Sequence, residues 1–279
     1  MLLSLRDELR VVLSRDQVQL IILGRELALQ GIKYSLLEKK SLPCDPEADP
    51  LWGNVVMTLE SALSVLPGKP AVAQVILSNY FIRYAMVPWN ESLSNEAEEA
   101  AYAKHCFSQL YGAPAGSWEI RLNPDFAGAP QLASAVDGQM LQALRAIFDR
   151  ANVKLKSVQP ILMAAYNNCH AHLQKQNAWF VLYEQGSLCL GLVHQGHWGS
   201  VRTLKVGSDW LDKLPEILDR EAYLSELDTS TDEVFLWAPE HWRTDLPKSG
   251  RWKIHKLQPV LRTSIAPAYD AHFAMAMCG

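Results

Sequence analysis

The sequence has no CxxC or other ligand-spaced cysteine pair; its five cysteines, Cys44, Cys106, Cys169, Cys189 and Cys278, are scattered and odd in number. That argues against a disulfide framework and against structural zinc, and it fits a reducing compartment. A basic excess is also missing. Lysine and arginine number 26 against 30 acidic residues, for a net charge of −4, so no face is expected to grip a phosphate backbone and nucleic acid is not an expected partner. Long charge-free apolar runs are absent too: residues 71–89 and 178–194, the most apolar, carry Arg83 and Glu184 and are rich in strand formers, so no membrane span is expected. Arg6, Asp7, Glu8 and Arg10 interrupt the opening residues, which therefore do not read as an export signal. Any membrane association is expected to run through a partner or a weak peripheral contact.

What the chain does have is apolar mass. Of its 279 residues 49% are hydrophobic, enough for one large core or two medium ones, and disorder is excluded as the dominant state. Periodicity predicts strands over 10–14, 17–23 and 26–37, then an amphipathic helix over 50–66 stopped by Pro67 and Gly68. A hairpin is expected next, 71–77 and 80–87 about a Ser78-Asn79 turn, with Pro88 ending the pairing. Ser94 is the expected N-cap of a helix running to Tyr111, and Glu96, Glu98 and Glu99 in its first turn are capping charges rather than catalytic acids. Strands over 117–122 and 131–136, a helix over 138–152, a strand over 153–158 and a helix over 161–174 follow. Beyond a polar linker at 174–177 come strands over 178–183, 187–194 and 198–206. A helix over 208–227, strands over 233–238 and 252–257 and a helix over 267–277 finish the pattern.

The order repeats: three strands joined by short turns, a helix, then another strand, once at the start and once after Asn177. The halves share no recognisable sequence, so the repeat is one of chain path. It predicts an α/β protein of two lobes with mixed sheets, the duplicated actin-like ATPase (ribonuclease H-like) fold. The first lobe is expected over 1–160, with an inserted hairpin and helix subdomain at about 70–136, and the second over 161–279.

Several residues invite chemistry and read more simply as structure. His170 and His172 are two apart on a predicted helix and point to different faces, whereas metal ligands on a helix need a spacing of three or four. His194 and His197 flank a hairpin turn. No metal is expected. Cys169 precedes His170, but no nucleophile signature surrounds it, and a buried, inert thiol is expected. Asp45, Glu47 and Asp49 form an acidic loop that reads as a solvated connection. Of nine tryptophans, Trp89, directly after Pro88, is the one expected to contact a partner.

Residues 72–112 (VAQVILSNYFIRYAMVPWNESLSNEAEEAAYAKHCFSQLYG), the helix and strand in GQMLQALRAIFDRANVKLKSVQPILMAAYN, the meander NAWFVLYEQGSLCLGLVHQGHWGSVRTLKVGSDW and the closing AYDAHFAMAMCG together resemble PilM-type pilus assembly proteins. They also resemble the cytoplasmic domain of the type II secretion L protein, and the MSHA-type agglutinin biogenesis branch of the same families. In nucleotide-using members of that superfamily an Asp followed by glycine and small hydroxylated residues opens each meander, holding metal and phosphate. Here the first turn is Ser14-Arg15-Asp16-Gln17, without glycine, and the second is Glu184-Gln185-Gly186-Ser187, which keeps an acid, a glycine and a hydroxyl. Asp16, Glu184, Gly186 and Ser187 are thus the residues left to hold a nucleotide, and no resident cofactor is expected, ATP and magnesium being the weakly favoured exception.

The resemblance implies a non-catalytic cytoplasmic scaffold at the inner membrane in a type IV pilus-like or type II secretion machine. Its implied partner is the cytoplasmic tail of a bitopic inner-membrane assembly protein, with an assembly ATPase or a second copy (a homodimer) as further contacts. The alternative is an ATPase or kinase of the same fold, with Asp16 and Glu184 around magnesium.

Overall fold

The structure, a computed structural model, describes residues 3–28, 31–46, 50–66, 70–225, 231–247, 250–261 and 265–278. Chain order is β1 (Leu3–Leu13), β2 (Gln17–Ala28), β3 (Gly31–Pro43), α1 (Gly53–Ser64), β4 (Val72–Leu77), β5 (Ile82–Val87), α2 (Glu96–Tyr111), β6 (Trp118–Leu122) and β7 (Gln131–Asp137). Then come α3 (Gly138–Arg150), β8 (Lys154–Pro160), α4 (Ile161–Leu173), β9 (Asn177–Glu184), β10 (Ser187–His194), β11 (His197–Lys205), α5 (Trp210–Leu224), β12 (Glu233–Trp237), β13 (Lys253–Lys256) and a single turn, α6 (Ala274–Met277).

Two five-stranded sheets follow one path. The first has the order β3-β2-β1-β4-β8 and the second β11-β10-β9-β12-β13. In each, three strands run as an antiparallel meander, the first strand of the meander takes a parallel neighbour on its other side, and a fifth strand adds in parallel. The expected repeat of chain path is therefore present, and the protein is a mixed α/β molecule. The third sheet, β5-β7-β6, lies in the insertion.

One compact unit comprises Met1–Ile82, Val136–Ala164 and Pro259–Gly279, and the other Arg83–Ala135 with Ala165–Gln258. This division departs from the expected lobes 1–160 and 161–279. The insertion groups with the second five-stranded sheet, and the segment after residue 258 groups with the first. Side chains explain the latter. On β1 and β2 three polar residues are almost fully buried, Glu8 at 4%, Arg10 at 3% and Gln19 at 5% exposure. Arg10 Nε binds Glu8 Oε1 at 2.9 Å, and its Nη1 donates to the carbonyl of Cys278; Gln19 Nε2 donates to the carbonyl of His272 at 2.8 Å. Lys39 pairs with Asp270 at 2.5 Å. Buried polar groups need partners; residues 270–278 supply them to Arg10 and Gln19, and Arg10 in turn answers Glu8. The tail takes the face of the sheet that carries Arg10 and Gln19. By strand alternation, Leu9, Val11 and Leu13 point to the other face, where α1 packs on β2 and against α3.

In the second unit Trp179, Val181, Leu188, Leu190 and Leu192 meet α5 through Trp210, Leu214 and Leu218. Tyr183 stacks on Trp210 at 4.2 Å. On the opposite face, Gly191 pairs with Phe180 in the ladder and lies beneath the ring of Trp198, which leans on Tyr166 at 4.6 Å. The insertion has its own small core of Ala85, Val87, Ala103, Phe107, Ala133 and Ala135, with Trp118 and Tyr111 packed against it.

Several local expectations give way to tertiary pairing. The hairpin over 71–87 does not form. A turn does occur, with Phe81 N bonded to Ser78 O at 3.0 Å, but β4 is flanked by β1 and β8, and β5 pairs instead with β7. The break expected between 23 and 26 is absent, because β2 runs through Gly24, where the missing side chain makes room for Ser35 and Leu37 of β3. The helix over 267–277 is two short 3-10 turns followed by α6, since Tyr269 is extended and Asp270 opens a new turn by accepting from His272 N. The expected ends of α1 at Pro67 and Gly68 and of α5 at Leu227 lie outside the described residues, as do Glu47 and Asp49.

A Cβ at Gly191 would stand 2.3 Å from Trp198 Cζ3. Gly191→Ala should therefore destabilise the protein by about 1–3 kcal/mol, read as a lower urea midpoint, whereas the same change at exposed Gly250 (open space around it) should leave the midpoint nearly unmoved. Burial pushes the thiols of Cys169 and Cys189 up to about 12. Thiolate is the reactive form, so a disulfide reagent at about pH 8 should leave both unmodified in the folded protein and label them once denaturant is added.

Candidate functional site

The first meander turn closes tightly without glycine. Ser14 N donates to Gln17 O at 2.9 Å, and Cys44 N donates to Asp16 O at 2.7 Å. Arg15 lies across the region: its guanidinium stands 5.1 Å from the Tyr80 ring centroid, and its Nε reaches Pro46 O at 3.5 Å. Asp16 sits beside Cys44, whose thiol is pushed up chiefly by burial, with the Asp16 carboxylate adding to the rise and a hydrogen bond with Thr58 opposing it. A phosphate needs bare backbone N–H groups to approach. Here the turn has no glycine, and the exposed Arg15 side chain leans toward Tyr80 and Pro46.

The second turn brings Glu184, Gly186 and Ser187 together at the end of the β9–β10 hairpin, with Glu184 directly opposite Ser187. Gly186 has φ +77, and open space surrounds the position a Cβ would take. Glycine is there for its backbone conformation, which an L side chain adopts at a cost of about 1 kcal/mol or more, and not for close approach of a neighbour. Its carbonyl accepts from Val206 N at 3.0 Å. Asp16 belongs to the first compact unit, and Glu184, Gly186 and Ser187 to the second.

Trp89 is 42% exposed and borders a shallow cleft of the insertion, lined also by Val87, Pro88, Asn90, Leu93, Glu99, Tyr102, Leu122 and Gln131. The cleft is framed by α2. Asn95, rather than the expected Ser94, is its N-cap, accepting from Ala97 N and Glu98 N at 3.1 Å each, while Glu98 reaches back to Ser94 N at 2.7 Å. Glu98 is thus a capping charge as expected, whereas Glu99 borders the cleft. At the other end of α2 the Tyr111 hydroxyl donates to Tyr84 O at 2.8 Å, anchoring the helix to β5. Burial raises the Tyr111 phenol, partly offset by Arg83 and by that hydrogen bond.

His170, His172 and His194 are exposed. His197 is exposed at the hairpin turn and is also bound: its Nδ1 lies 2.6 Å from Asp125 Oδ1, and its ring meets Phe126 edge-on at 4.7 Å. Tyr166 joins them by donating to Gly196 O at 3.0 Å. The sequence offered no signal for this group, since Asp125 and His197 are 72 positions apart and lie in two unrelated loops.

Among the described residues no helix is long and apolar enough to cross a membrane. No protein-family model matches the chain, and no curated protein matches its sequence. Solved structures do match. A protein of unknown function with the actin-like ATPase fold from Bacteroides thetaiotaomicron aligns with a TM-score of 0.60 and 10% identity, covering 98% of this chain and 96% of its own. The cytoplasmic domain of EpsL, an inner-membrane component of the type II secretion system of Vibrio cholerae, aligns at 0.55 with 10% identity over 90% of each chain. A chain of the PilM–PilN type IV pilus biogenesis complex aligns at 0.57 with 13% identity, covering 82% of this chain and 80% of that one. Identities this low speak to chain path alone, and the path is clear: this protein has the actin-like ATPase fold, built from two sheets of identical strand order.

Proposed function

We propose that the protein is a non-catalytic scaffold in the assembly of a type IV pilus-like or type II secretion machine, working on the cytoplasmic side of the inner membrane. Its task is docking: it receives the cytoplasmic tail of a bitopic inner-membrane assembly protein at the Trp89 cleft, with an assembly ATPase or a second copy of itself as further contacts. The likeness to the EpsL cytoplasmic domain and to the PilM–PilN complex supports the setting. The observation that carries the non-catalytic reading is the first meander turn, which is glycine-free and closed by its own hydrogen bond from Ser14 N to Gln17 O. Phosphoryl transfer depends on several aligned phosphate and metal contacts at once. A half-motif at Glu184, Gly186 and Ser187 does not supply them.

A ligand that binds the folded state raises the melting midpoint by mass action. Millimolar Mg-ATP should leave the midpoint unchanged. A clear rise, abolished in Asp16→Asn or Glu184→Gln, would instead favour an ATPase or kinase with those carboxylates about magnesium. In the docking test, Trp89→Ala should lower the melting midpoint only slightly, because Trp89 is part-exposed and outside the buried core. It should weaken capture of a synthetic tail peptide from the bitopic partner by about tenfold or more, measured by fluorescence anisotropy. Unchanged affinity would move the docking site elsewhere.

A further inference from the structure

The β10–β11 turn does more than join two strands. Gln195 (φ 49) and Gly196 (φ 90) are both left-handed, the type I′ geometry that matches strand twist, and they present His197 to the connection between β6 and β7. There His197 Nδ1 meets Asp125 Oδ1 at 2.6 Å and the ring packs on Phe126. The Asp125 side chain is 7% exposed and that of His197 47%. The carboxylate is shut in, while the imidazole can exchange its proton with water.

The connection so held starts at Leu122 and ends at Gln131, and both residues line the Trp89 cleft. It is a folded loop: Asn123 N donates to Leu132 O at 2.8 Å, and Ala129 N to Phe126 O at 3.1 Å. Asp125 and Phe126 thus sit on the loop that joins two cleft-lining strand ends, Leu122 of β6 and Gln131 of β7.

We propose that Asp125 and His197 form a proton-dependent clip on the 123–130 loop, firm when the imidazole is charged and looser when it is neutral, and that through Leu122 and Gln131 the clip sets the shape of the Trp89 cleft. The groups facing His197 are Asp125 from the loop, Tyr166 from α4 with His170 beside it at 5.7 Å, and His194 directly opposite in the hairpin. Tyr166 does not take part in the titration, because burial and then the Asp125 carboxylate raise its phenol further above neutrality. The neutral ring can still hydrogen-bond the carboxylate, but the charged imidazole adds ion-pair attraction to that bond, and imidazoles change charge between about pH 5 and 8. The clip is thus complete on the acid side of that window and weakens as pH rises through it. The clip itself stands on geometry alone; only its effect on partner binding rests on the docking role of Trp89.

Hydrogen exchange, corrected for the intrinsic pH dependence of amide exchange, tests it at about pH 5.5 and about pH 8. Protection of amides 123–130 in the wild type should fall about threefold or more between the two. The His170→Gln/His194→Gln double variant should behave likewise, and His197→Gln and Asp125→Asn should show no such change. A wild type without the change, or a His197→Gln protein that keeps it, overturns the clip. Tail-peptide affinity at the same two pH values then separates the layers. A clip that titrates while a captured peptide binds equally at both overturns the coupling to the cleft. A failure to capture the peptide at either pH counts against the docking reading, and the exchange data still decide the clip.

Discussion

β1 and β9 each have to be hydrogen-bonded on both edges and covered on both faces. Each pairs antiparallel with the strand that follows it and parallel with the strand that follows the helix. Phe180, Val181 and Leu182, three in a row, are fully buried, as a strand packed on both faces requires. The parallel pairing in turn demands a crossover long enough to return in the same direction, which α1 provides in one sheet and α5 in the other. The two halves reach the same solution with different residues, so the likeness between them lies in hydrogen-bond direction and burial rather than in amino-acid identity.

The halves then diverge where side chains are optional. The turn opening the second meander keeps a glycine for its left-handed backbone, and the one opening the first does without, its surroundings taken up by Arg15, Tyr80 and the 44–46 segment. Such a turn costs the fold nothing, since its own hydrogen bonds are satisfied. The divergence thus falls on the turns and leaves the architecture intact, which is how one chain path supports unrelated tasks.

Most of the elements were legible because hydrophobic period reports burial, and burial is what the sheets and α1, α3 and α5 are made of. The strands of the second meander match their expected limits closely, since turns such as Gln195-Gly196 carry their own signal. The failures share one cause. Ser78-Asn79 marks a genuine turn, yet no local feature says that β4 will find both its neighbours in distant segments. Residues 267–277 have helical periodicity, and the extended Tyr269 and the Asp270 turn divide them. Arg10 and Glu8 register in the sequence only as charges interrupting an apolar opening; they are buried as a pair, with Arg10 also donating to the carbonyl of Cys278, 268 positions away. At the candidate site Trp89 could be picked out from its place after Pro88, whereas the Asp125–His197 pair arises from a contact that no spacing rule describes.

The closure of the first sheet by residues 270–278 sets an order of events during synthesis. Until that stretch has left the ribosome, Arg10 and Gln19 lack their eventual carbonyl acceptors, while the second five-stranded sheet, whose strands end at Lys256, is already fully translated. The unit that is begun first is therefore the one that matures last, and a nascent chain stalled shortly before residue 270 would hold a finished second unit and an unsealed first one.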